Sequence, residues 1–360
     1  MLFNLKMNQE KAQVLFKEGA FLILLDVPHG TEFGIDWKTW TTAERFKGLK
    51  MIPPGIHFIS YNAVSKFDGS IAPKTGFFYN FKQQEIVVKK YNKNLEMIED
   101  CCLNDDELKN IKSNLQDLDR DLAAYPYDML RKWVSMSNCI TPQIISKISP
   151  LKSSINSAIE LLPEPSTSND KFGTTDKDGL PCMHTNPESA IRFSELPKRW
   201  YPLGASPMEI SKHSMDSSYA LCEFLQHYDQ QTDILGELQY TFICFILGQV
   251  LDAFDHWKSL VHLLCSCEEK LPSLSDIYSQ LISILYHQIS EIPSDFFVDI
   301  VSSNNFLLVN LANLFRSIGY CENHDELQDK AVKFKKYLSK KYKWKFRVEP
   351  EDCAPIVVEC

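Results

Sequence analysis

A long apolar stretch at residues 235–264 constrains the fold of this chain more than any other feature of the sequence. It runs LGELQYTFICFILGQVLDAFDHWKSLVHLL and carries large side chains at positions that cover nearly every face of a helix. A helix that is apolar all round is stable only when other elements enclose it. We therefore expect residues 234–265 to form a buried helix within an all-α domain, with Gly248 as a close-packing point or a break.

Three polar residues in this stretch argue against a membrane span. Glu237, Gln239 and Gln249 interrupt the apolar run at helical spacing, and a bilayer span would have to place their side chains in lipid. Little else in the stretch could carry out chemistry. The pattern favours a protein whose product is a shaped surface rather than a reaction.

The composition is that of a folded protein from a reducing compartment. The chain has 360 residues, which suggests two domains at about 150 residues each. Its net charge of −9 argues against a global nucleic-acid binder, since a polyanion is repelled at long range. The 11 cysteines mostly fall in apolar helical stretches, as buried thiols do, and no signal-peptide core precedes them. We expect a soluble cytosolic or nuclear protein.

Residues 1–95 have the pattern of strands after one helix at about 9–18. The apolar run at 21–27 predicts a buried strand, and a second strand should follow the turn at Pro53-Pro54-Gly55. Residues 76–81 and 85–91 flank a short polar link, which predicts a hairpin. The sequence of this region therefore favours a β-rich domain.

Helical periodicity begins after residue 103. Asn104 and Glu107 form a capping-box pattern, and leucine and isoleucine residues from 108 to 122 step by three and four along one predicted helix. Thr141-Pro142 predicts the start of another helix, and a short helix is expected over 153–162. From Ser206, which caps a further helix, the chain is predicted to be helical up to about residue 345. No fixed repeat period is evident, which disfavours a repeat solenoid.

We therefore predict an α+β two-domain protein, with a β-rich N-terminal domain that carries appended helices and an all-α C-terminal domain built as a helical bundle or superhelix. The predicted boundaries are 1–162 for the first domain, 163–205 for a linker with an extended segment at 191–197, 206–345 for the all-α domain, and 346–360 for an extended tail. The linker is rich in Pro, Gly and polar residues.

Residue spacing disfavours a metal site or a local catalytic motif. Two pairs of possible metal ligands lie close in sequence. His256 and His262 are six residues apart, and Cys265 and Cys267 are two residues apart. Neither spacing brings the two ligands together on one helix face. No nucleophile elbow or phosphate-binding loop occurs. We expect no catalytic residue, no metal and no cofactor, although a site assembled from distant residues would leave no local motif.

The segment 330–347 has the strongest local charge, and two interpretations of it compete. It contains no acidic residue, and aromatic residues at 337, 342, 344 and 346 interleave with the cations, a combination that binds single-stranded nucleic acid. The alternative is the polar face of an amphipathic helix, with Leu327, Ala331, Phe334 and Leu338 packed inward, and we favour it. The patch could also meet an acidic protein surface. Its cations are Lys330, Lys333, Lys335, Lys336, Lys340, Lys341, Lys343, Lys345 and Arg347.

The C-terminal tail offers a second candidate contact. Ile356, Val357 and Val358 are β-prone and follow two prolines. They form either a disordered or self-docked terminus or a strand that adds to the sheet edge of a partner.

Nine sequence blocks together resemble the metazoan branch of the AAR2 splicing factor family, across almost the whole chain. The blocks are FKEGA at 16–20, GTEFGID at 30–36, FKGLKMIPPGIHF at 46–58, YPY at 125–127, RFSELP at 192–197, LGELQ at 235–239, ILYHQ at 284–288, EIPSDFFVDIV at 291–301 and PEDCAP at 350–355.

The resemblance implies a fold and a function. Members have a β-rich N-terminal domain and an all-α C-terminal domain, and they are non-enzymatic assembly factors of the spliceosomal U5 small nuclear ribonucleoprotein. They bind the RNase H-like and Jab/MPN-like domains of the Prp8 scaffold and hold off the Brr2 helicase. The resemblance further implies a cytoplasmic monomer that shuttles to the nucleus and contacts nucleic acid only indirectly. By analogy with a fungal relative, Ile356, Val357 and Val358 would add a strand to Prp8.

Overall fold

The computed structural model describes residues 9–64, 69–101, 104–163, 182–292 and 306–346. The chain divides into two compact units, the first made of residues 1–192 with 243–251 and the second of 193–242 with 252–360. All strands among the described residues lie in the first unit, and the second unit is helical. The predicted fold class, a β-rich N-terminal region and a helical C-terminal region, is confirmed.

The first unit contains two five-stranded sheets. In sheet A the order is β8-β7-β1-β4-β9, and β1 pairs in parallel with β7 and antiparallel with β4. In sheet B the order is β10-β6-β5-β2-β3, and every pairing is antiparallel. A small third sheet joins β11 to β12. The strands are β1 Ala20–Leu25, β2 Glu32–Ile35, β3 Lys38–Thr41, β4 Gly48–Ile52, β5 Gly55–Asn62, β6 Thr75–Phe81, β7 Ile86–Asn92, β8 Met97–Asp100, β9 Leu122–Ala124, β10 Ile155–Asn156, β11 Leu161–Pro163 and β12 Met183–Thr185.

The alternation of side chains along the central strand β1 gives this unit three layers. Leu22 and Leu24 of β1 belong to a core shared with sheet B, where they join Phe33 and Ile59. Phe21 and Ile23 point to the opposite face, because successive strand residues alternate, and pack under the first three helices. The helices of this unit are α1 Gln9–Glu18, α2 Asp105–Ser113, α3 Leu115–Leu118, α4 Leu130–Ser137 and α5 Pro142–Ile148.

The predicted hairpin at 76–91 is wrong, because its two strands belong to different sheets. β6 pairs with β5 and β10, whereas β7 pairs with β1 and β8. The link between them turns a corner that Glu85 stabilises, since its carboxylate accepts from the backbone N–H of Lys82 and from the hydroxyl of Tyr79. The short link therefore forms a turn, as predicted. β7 does not pair with β6, however, because it pairs with the buried strand β1.

Two helices predicted before residue 163 are also wrong, because the first ends earlier than predicted and the second is replaced by strands. The predicted capping box of Asn104 and Glu107 is present, but the helix that follows ends at Ser113, and Leu122 begins strand β9. Parallel pairing of Leu122 with Gly48 extends sheet A, so tertiary pairing overrides the local helical period. Residues 153–162 form the strands β10 and β11 instead of a helix.

The second unit consists of helices, and the helix at Asp233–Ile246 is divided between the units after Phe242. All residues from 234 to 245 are buried, as the apolar pattern predicted. No helix among the described ranges is both long and apolar enough to cross a membrane. The later helices are α6 Pro207–Met215, α7 Ser218–Leu225, α8 Asp233–Ile246, α9 Leu251–Cys265, α10 Ser275–Glu291, α11 Phe306–Gly319 and α12 Asp325–Tyr342.

The stretch predicted as one helix over 234–265 is broken into α8 and α9. The break falls at Gly248, the predicted position. A larger residue would not fit here, because a Cβ on Gly248 would lie 2.5 Å from the carbonyl oxygen of Cys244. The next residue, Gln249, has a φ of 59°, a left-handed backbone conformation that ends a helix. Residues 293–305, within the region predicted to be helical, lie outside the described residues.

Candidate interaction surfaces

A buried carboxylate joins the strands of the first unit. Asp36 follows β2 in the left-handed conformation, with a φ of 53°, and its side chain is 0% exposed. Its Oδ1 accepts from the backbone N–H of Phe58, and its Oδ2 accepts from the hydroxyl of Tyr125 at 2.7 Å. The ring nitrogen Nδ1 of His57 lies 2.7 Å from the same Oδ2. Three residues distant in sequence therefore meet at one carboxylate.

Both ring nitrogens of His57 have a hydrogen-bonding partner. Its Nε2 lies 2.9 Å from the carbonyl oxygen of Pro53, which can only accept, so this nitrogen carries hydrogen. Its Nδ1 shares one hydrogen with Oδ2 of Asp36 along their contact. The rings of Trp133 and Tyr125 lie against the imidazole at 6.1 Å and 5.2 Å. The His57–Asp36 pair is buried, and it ties β5 to the residue that follows β2.

A second buried carboxylate, Glu237 of α8, organises the helical unit. Its Oε1 lies 2.9 Å from the backbone nitrogen of Ser194 and 2.8 Å from Nε2 of His256. Its Oε2 accepts from the hydroxyl of Ser194 and from the hydroxyl of Tyr228, each at 2.7 Å. The Glu237 side chain is 0% exposed, so these donors replace the water that a carboxylate requires.

Opposing effects act on the pKa of these groups. Burial disfavours the charged form of Glu237, but hydrogen bonds from His256, Tyr228 and Ser194 outweigh burial and lower its pKa. Burial and the negative charge of Glu237 raise the pKa of Tyr228. Glu237 is therefore held as a carboxylate and Tyr228 as a neutral donor at neutral pH.

Residues 193–200, which overlap the segment predicted to be extended, are pinned to the helices of the second unit. Ser194 bonds to Glu237, and the ring of Phe193 stacks on His256 with centroids 4.5 Å apart. Further along, the ring of Trp200 lies 5.6 Å from that of His262. We name residues 193–200 the strap. Within the first unit, Arg192 donates to the carbonyl oxygens of Ser146 and Ser149.

These contacts also account for the histidines considered as metal ligands. His256 bonds to Glu237, and Nδ1 of His262 lies 2.8 Å from Oδ1 of Asn310. Burial raises the pKa of the Cys265 thiol, which disfavours the thiolate that a metal needs. Among the described residues no group of three or more possible ligands comes together.

The amphipathic interpretation of the basic segment is confirmed by the packing of α12. Its buried residues are Leu327, Ala331, Phe334 and Leu338, the predicted inner stripe. The interleaved aromatic rings turn inward too: the hydroxyl of Tyr342 donates to the carbonyl oxygen of Ile289, and Trp344 is 9% exposed. The Trp344 ring is therefore not available to stack with bases, and Tyr337, Tyr342 and Phe346 are half-buried.

The lysines of this segment divide into two groups. Lys330 donates to the hydroxyl of Ser279, and Lys341 donates to that of Tyr337. The other group is exposed, apart from the half-buried Lys335, and comprises Lys333, Lys335, Lys336, Lys340, Lys343 and Lys345. Arg347 and the tail residues Ile356, Val357 and Val358 lie outside the described residues, so their predicted contacts stay predictions.

Comparison with known proteins identifies the family. A family model described as the AAR2 N-terminal domain matches residues 18–150, and one described as the AAR2 C-terminal repeat region matches residues 193–347. The chain belongs to the AAR2 family. The second description names repeats, which the sequence pattern did not reveal.

Curated AAR2 relatives match nearly end to end. The Protein AAR2 homolog of Homo sapiens is 42% identical over 372 residues, covering 98% of this chain and 97% of the relative. The homolog of Mus musculus is also 42% identical, with 99% and 97% covered. The homolog of Caenorhabditis elegans is 36% identical, with 94% and 98% covered. The resemblance seen in the sequence is thereby confirmed.

The blocks that carry the AAR2 resemblance supply the two buried networks. Asp36, His57 and Tyr125 come from the blocks at 30–36, 46–58 and 125–127, while Ser194 and Glu237 come from those at 192–197 and 235–239. Sequence reasoning did not anticipate either network. The available signal was a charged residue inside an apolar run, as at Glu237, because such a charge must find buried partners. The five blocks that hold these residues therefore help to maintain the fold.

Proposed function

We propose that this chain is a non-enzymatic assembly factor of the spliceosomal U5 small nuclear ribonucleoprotein that supports pre-mRNA splicing. It binds the C-terminal RNase H-like and Jab/MPN-like domains of Prp8 in an immature cytoplasmic particle. While bound, it prevents premature docking of the Brr2 helicase. The observation that carries this proposal is membership of the AAR2 family along nearly the whole chain, together with the role that the resemblance implies.

The enclosed networks support a role in binding. The His57–Asp36 pair has side-chain exposures of 2% and 0%, and the Glu237 carboxylate has four hydrogen-bonding contacts. Both are the kind of titratable cluster from which an enzyme site would be built, yet both hold structure together in the interior. Affinity in this account comes from surface contacts, with no cofactor.

The tail supplies one of these contacts. We propose that Ile356, Val357 and Val358 add a strand to Prp8, where backbone hydrogen bonds give affinity and alternate side chains give specificity. Ile356 and Val358 would then face one side of the new strand and Val357 the other. Nucleic acid is contacted only through the particle, because the aromatic rings near α12 pack within the protein.

Binding of the purified full-length chain to a Prp8 fragment that carries both domains tests the proposal. We expect a complex stable to size-exclusion chromatography and weaker binding to either domain alone. Val357→Pro should weaken binding at least about tenfold, because proline lacks the backbone donor that a strand needs. Val357→Thr, which keeps that donor and the β-branch, is the matched control.

Two results would count against the proposal in different ways. No complex with the two-domain fragment would contradict Prp8 binding itself. Equal binding by the Val357→Pro and Val357→Thr variants would keep Prp8 as the partner but rule out strand addition by the tail.

A further inference from the structure

The outward face of α12 carries a row of lysines along the helix axis. Lys333, Lys336 and Lys340 follow the spacing i, i+3 and i+7, so they lie on one face. This face is opposite the buried stripe of Leu327, Ala331, Phe334 and Leu338, and all three lysines are exposed. We name Lys333, Lys336 and Lys340, with the neighbouring Val332, the α12 outer face.

The ammonium groups of this row, unlike those of Lys50 and Lys89, have no partner among the described residues. Lys50 pairs with Asp119, Lys89 with Asp100, and each contact is 2.6 Å long. In the part of the chain that the structure describes, no ion pair or hydrogen bond involves the ammonium groups of the α12 outer face. Their positive charge is therefore available to a partner.

Overall composition does not explain the row. The chain has 47 acidic and 38 basic residues. Its overall charge is therefore negative, opposite in sign to the charge of the row. Like charges at i, i+3 and i, i+4 destabilise a helix, and Lys343 and Lys345 add more positive charge just beyond the helix. Lys340, in the last turn, interacts favourably with the helix dipole, but Lys333 and Lys336 precede that turn.

The geometry indicates which anion fits. With a rise of about 1.5 Å per residue, successive ammonium groups are roughly 4.5 and 6 Å apart along the axis. Carboxylates at i, i+3 and i+7 of a second helix have the same spacing. Val332, which is 64% exposed, lies one turn from Lys336 and offers an apolar contact that a phosphate backbone would not use.

We propose that the α12 outer face binds an acidic amphipathic helix of a partner protein. Complementary charge accelerates the encounter and sets the register, and the contact between Val332 and an apolar residue of the partner adds specificity. This inference goes beyond the proposed function and does not require that the acidic helix belong to Prp8.

Fluorescence anisotropy with the full-length chain tests the proposal at about 0.15 M salt. The probe is a labelled helical peptide with glutamates at i, i+3 and i+7 and one leucine beside them. A scrambled peptide of the same composition, with its glutamates spread around the helix, controls for net charge, and a short single-stranded RNA represents the competing class of ligand. We expect the face-matched peptide to bind at least about tenfold more tightly than either.

Variants locate the binding to the face. Lys333→Gln, Lys336→Gln and Lys340→Gln combined should weaken binding of the matched peptide at least about tenfold, because glutamine keeps helix propensity but removes charge. Lys93→Gln, which removes an exposed charge from the first unit, should have no effect, and circular dichroism verifies that the helices persist. Equal affinity for the matched and scrambled peptides, tighter binding of RNA, or an unchanged affinity of the triple variant would each overturn the proposal.

Discussion

The carboxylate of Glu237 lies 2.7 Å from the hydroxyl of Ser194 and 2.9 Å from its backbone nitrogen. One side chain in the most apolar helix of the protein thus binds both donors of a residue in the strap. Glu237 is fully buried, so water cannot reach its carboxylate. The strap supplies hydrogen bonds that water would otherwise provide. The strap is therefore an integral part of the second unit.

Replacing Glu237 with glutamine should lower the free energy of unfolding by about 2–4 kcal/mol at neutral pH, since buried donors lose a charged acceptor. The lowered pKa of Glu237 in the folded state means that its stabilisation is present above its ordinary pKa of 4.5. This stabilisation is lost as the pH falls through the folded-state pKa. Urea unfolding of both proteins across this range should show the difference shrinking in acid.

Glu322→Gln is the matched control for that measurement, because Glu322 is exposed. Its effect on the free energy of unfolding should stay within about 0.5 kcal/mol. A Glu237→Gln variant as stable as the control at neutral pH would show that the Glu237 network does not support the helical unit.

Tyr125→Phe should lower the free energy of unfolding of the first unit by about 1–2 kcal/mol, because Asp36 loses one of its donors in the interior. Burial and the charge of Asp36 raise the pKa of Tyr125, so the hydroxyl stays a donor throughout the neutral range. Tyr320→Phe, at a side chain that is 68% exposed, is the control in the same chemical denaturation experiment. Equal effects of the two changes would contradict the assigned bond.

Gly48→Ala should prevent formation of sheet A or destabilise it by more than about 3 kcal/mol. A Cβ at Gly48 would lie 1.9 Å from the carbonyl oxygen of Leu22, which belongs to the backbone of β1. Gly55 has a similar φ of 131° but nothing within 4 Å of the added atom, so Gly55→Ala measures backbone strain alone, about 1–2 kcal/mol. Thermal unfolding of both variants separates the two effects, and a Gly48→Ala protein as stable as Gly55→Ala would be inconsistent with the close approach.

Trp344→Ala should lower the free energy of unfolding by about 2–4 kcal/mol because the ring is largely buried against its neighbours. The affinity of the Trp344→Ala variant for single-stranded RNA, measured by gel shift where the variant is folded, should differ from that of the unmodified chain by less than about twofold. A large loss of RNA binding with unchanged stability would instead support base stacking on this segment.

Local sequence signals predicted those elements whose stability is decided locally. The capping boxes at Asn104 and Ser206, the proline-started helix at Pro142 and the inner stripe of α12 all occur as expected. The failures arise where distant strands decide the outcome. Leu122 continues a leucine period but pairs with Gly48, and β7 leaves its neighbour β6 to pair with β1.

The buried networks could not be predicted because no local pattern places Asp36 beside Tyr125 or Glu237 beside Ser194. The partners in these contacts are tens of residues apart in the sequence, and only the tertiary fold brings them together. The basic segment was interpreted correctly because its inner stripe and its cations lie on the same helix, where the period of 3.6 residues determines the faces.

Competition with Brr2 tests the central claim most directly, since the claim is that this chain works by occupying Prp8. The measurement is the affinity of Brr2 for a Prp8 fragment carrying the RNase H-like and Jab/MPN-like domains, with and without a saturating amount of the full-length chain. The account predicts that the apparent affinity of Brr2 falls at least about tenfold and recovers when the chain is removed. Unchanged Brr2 affinity on a fragment already saturated with this chain would contradict it.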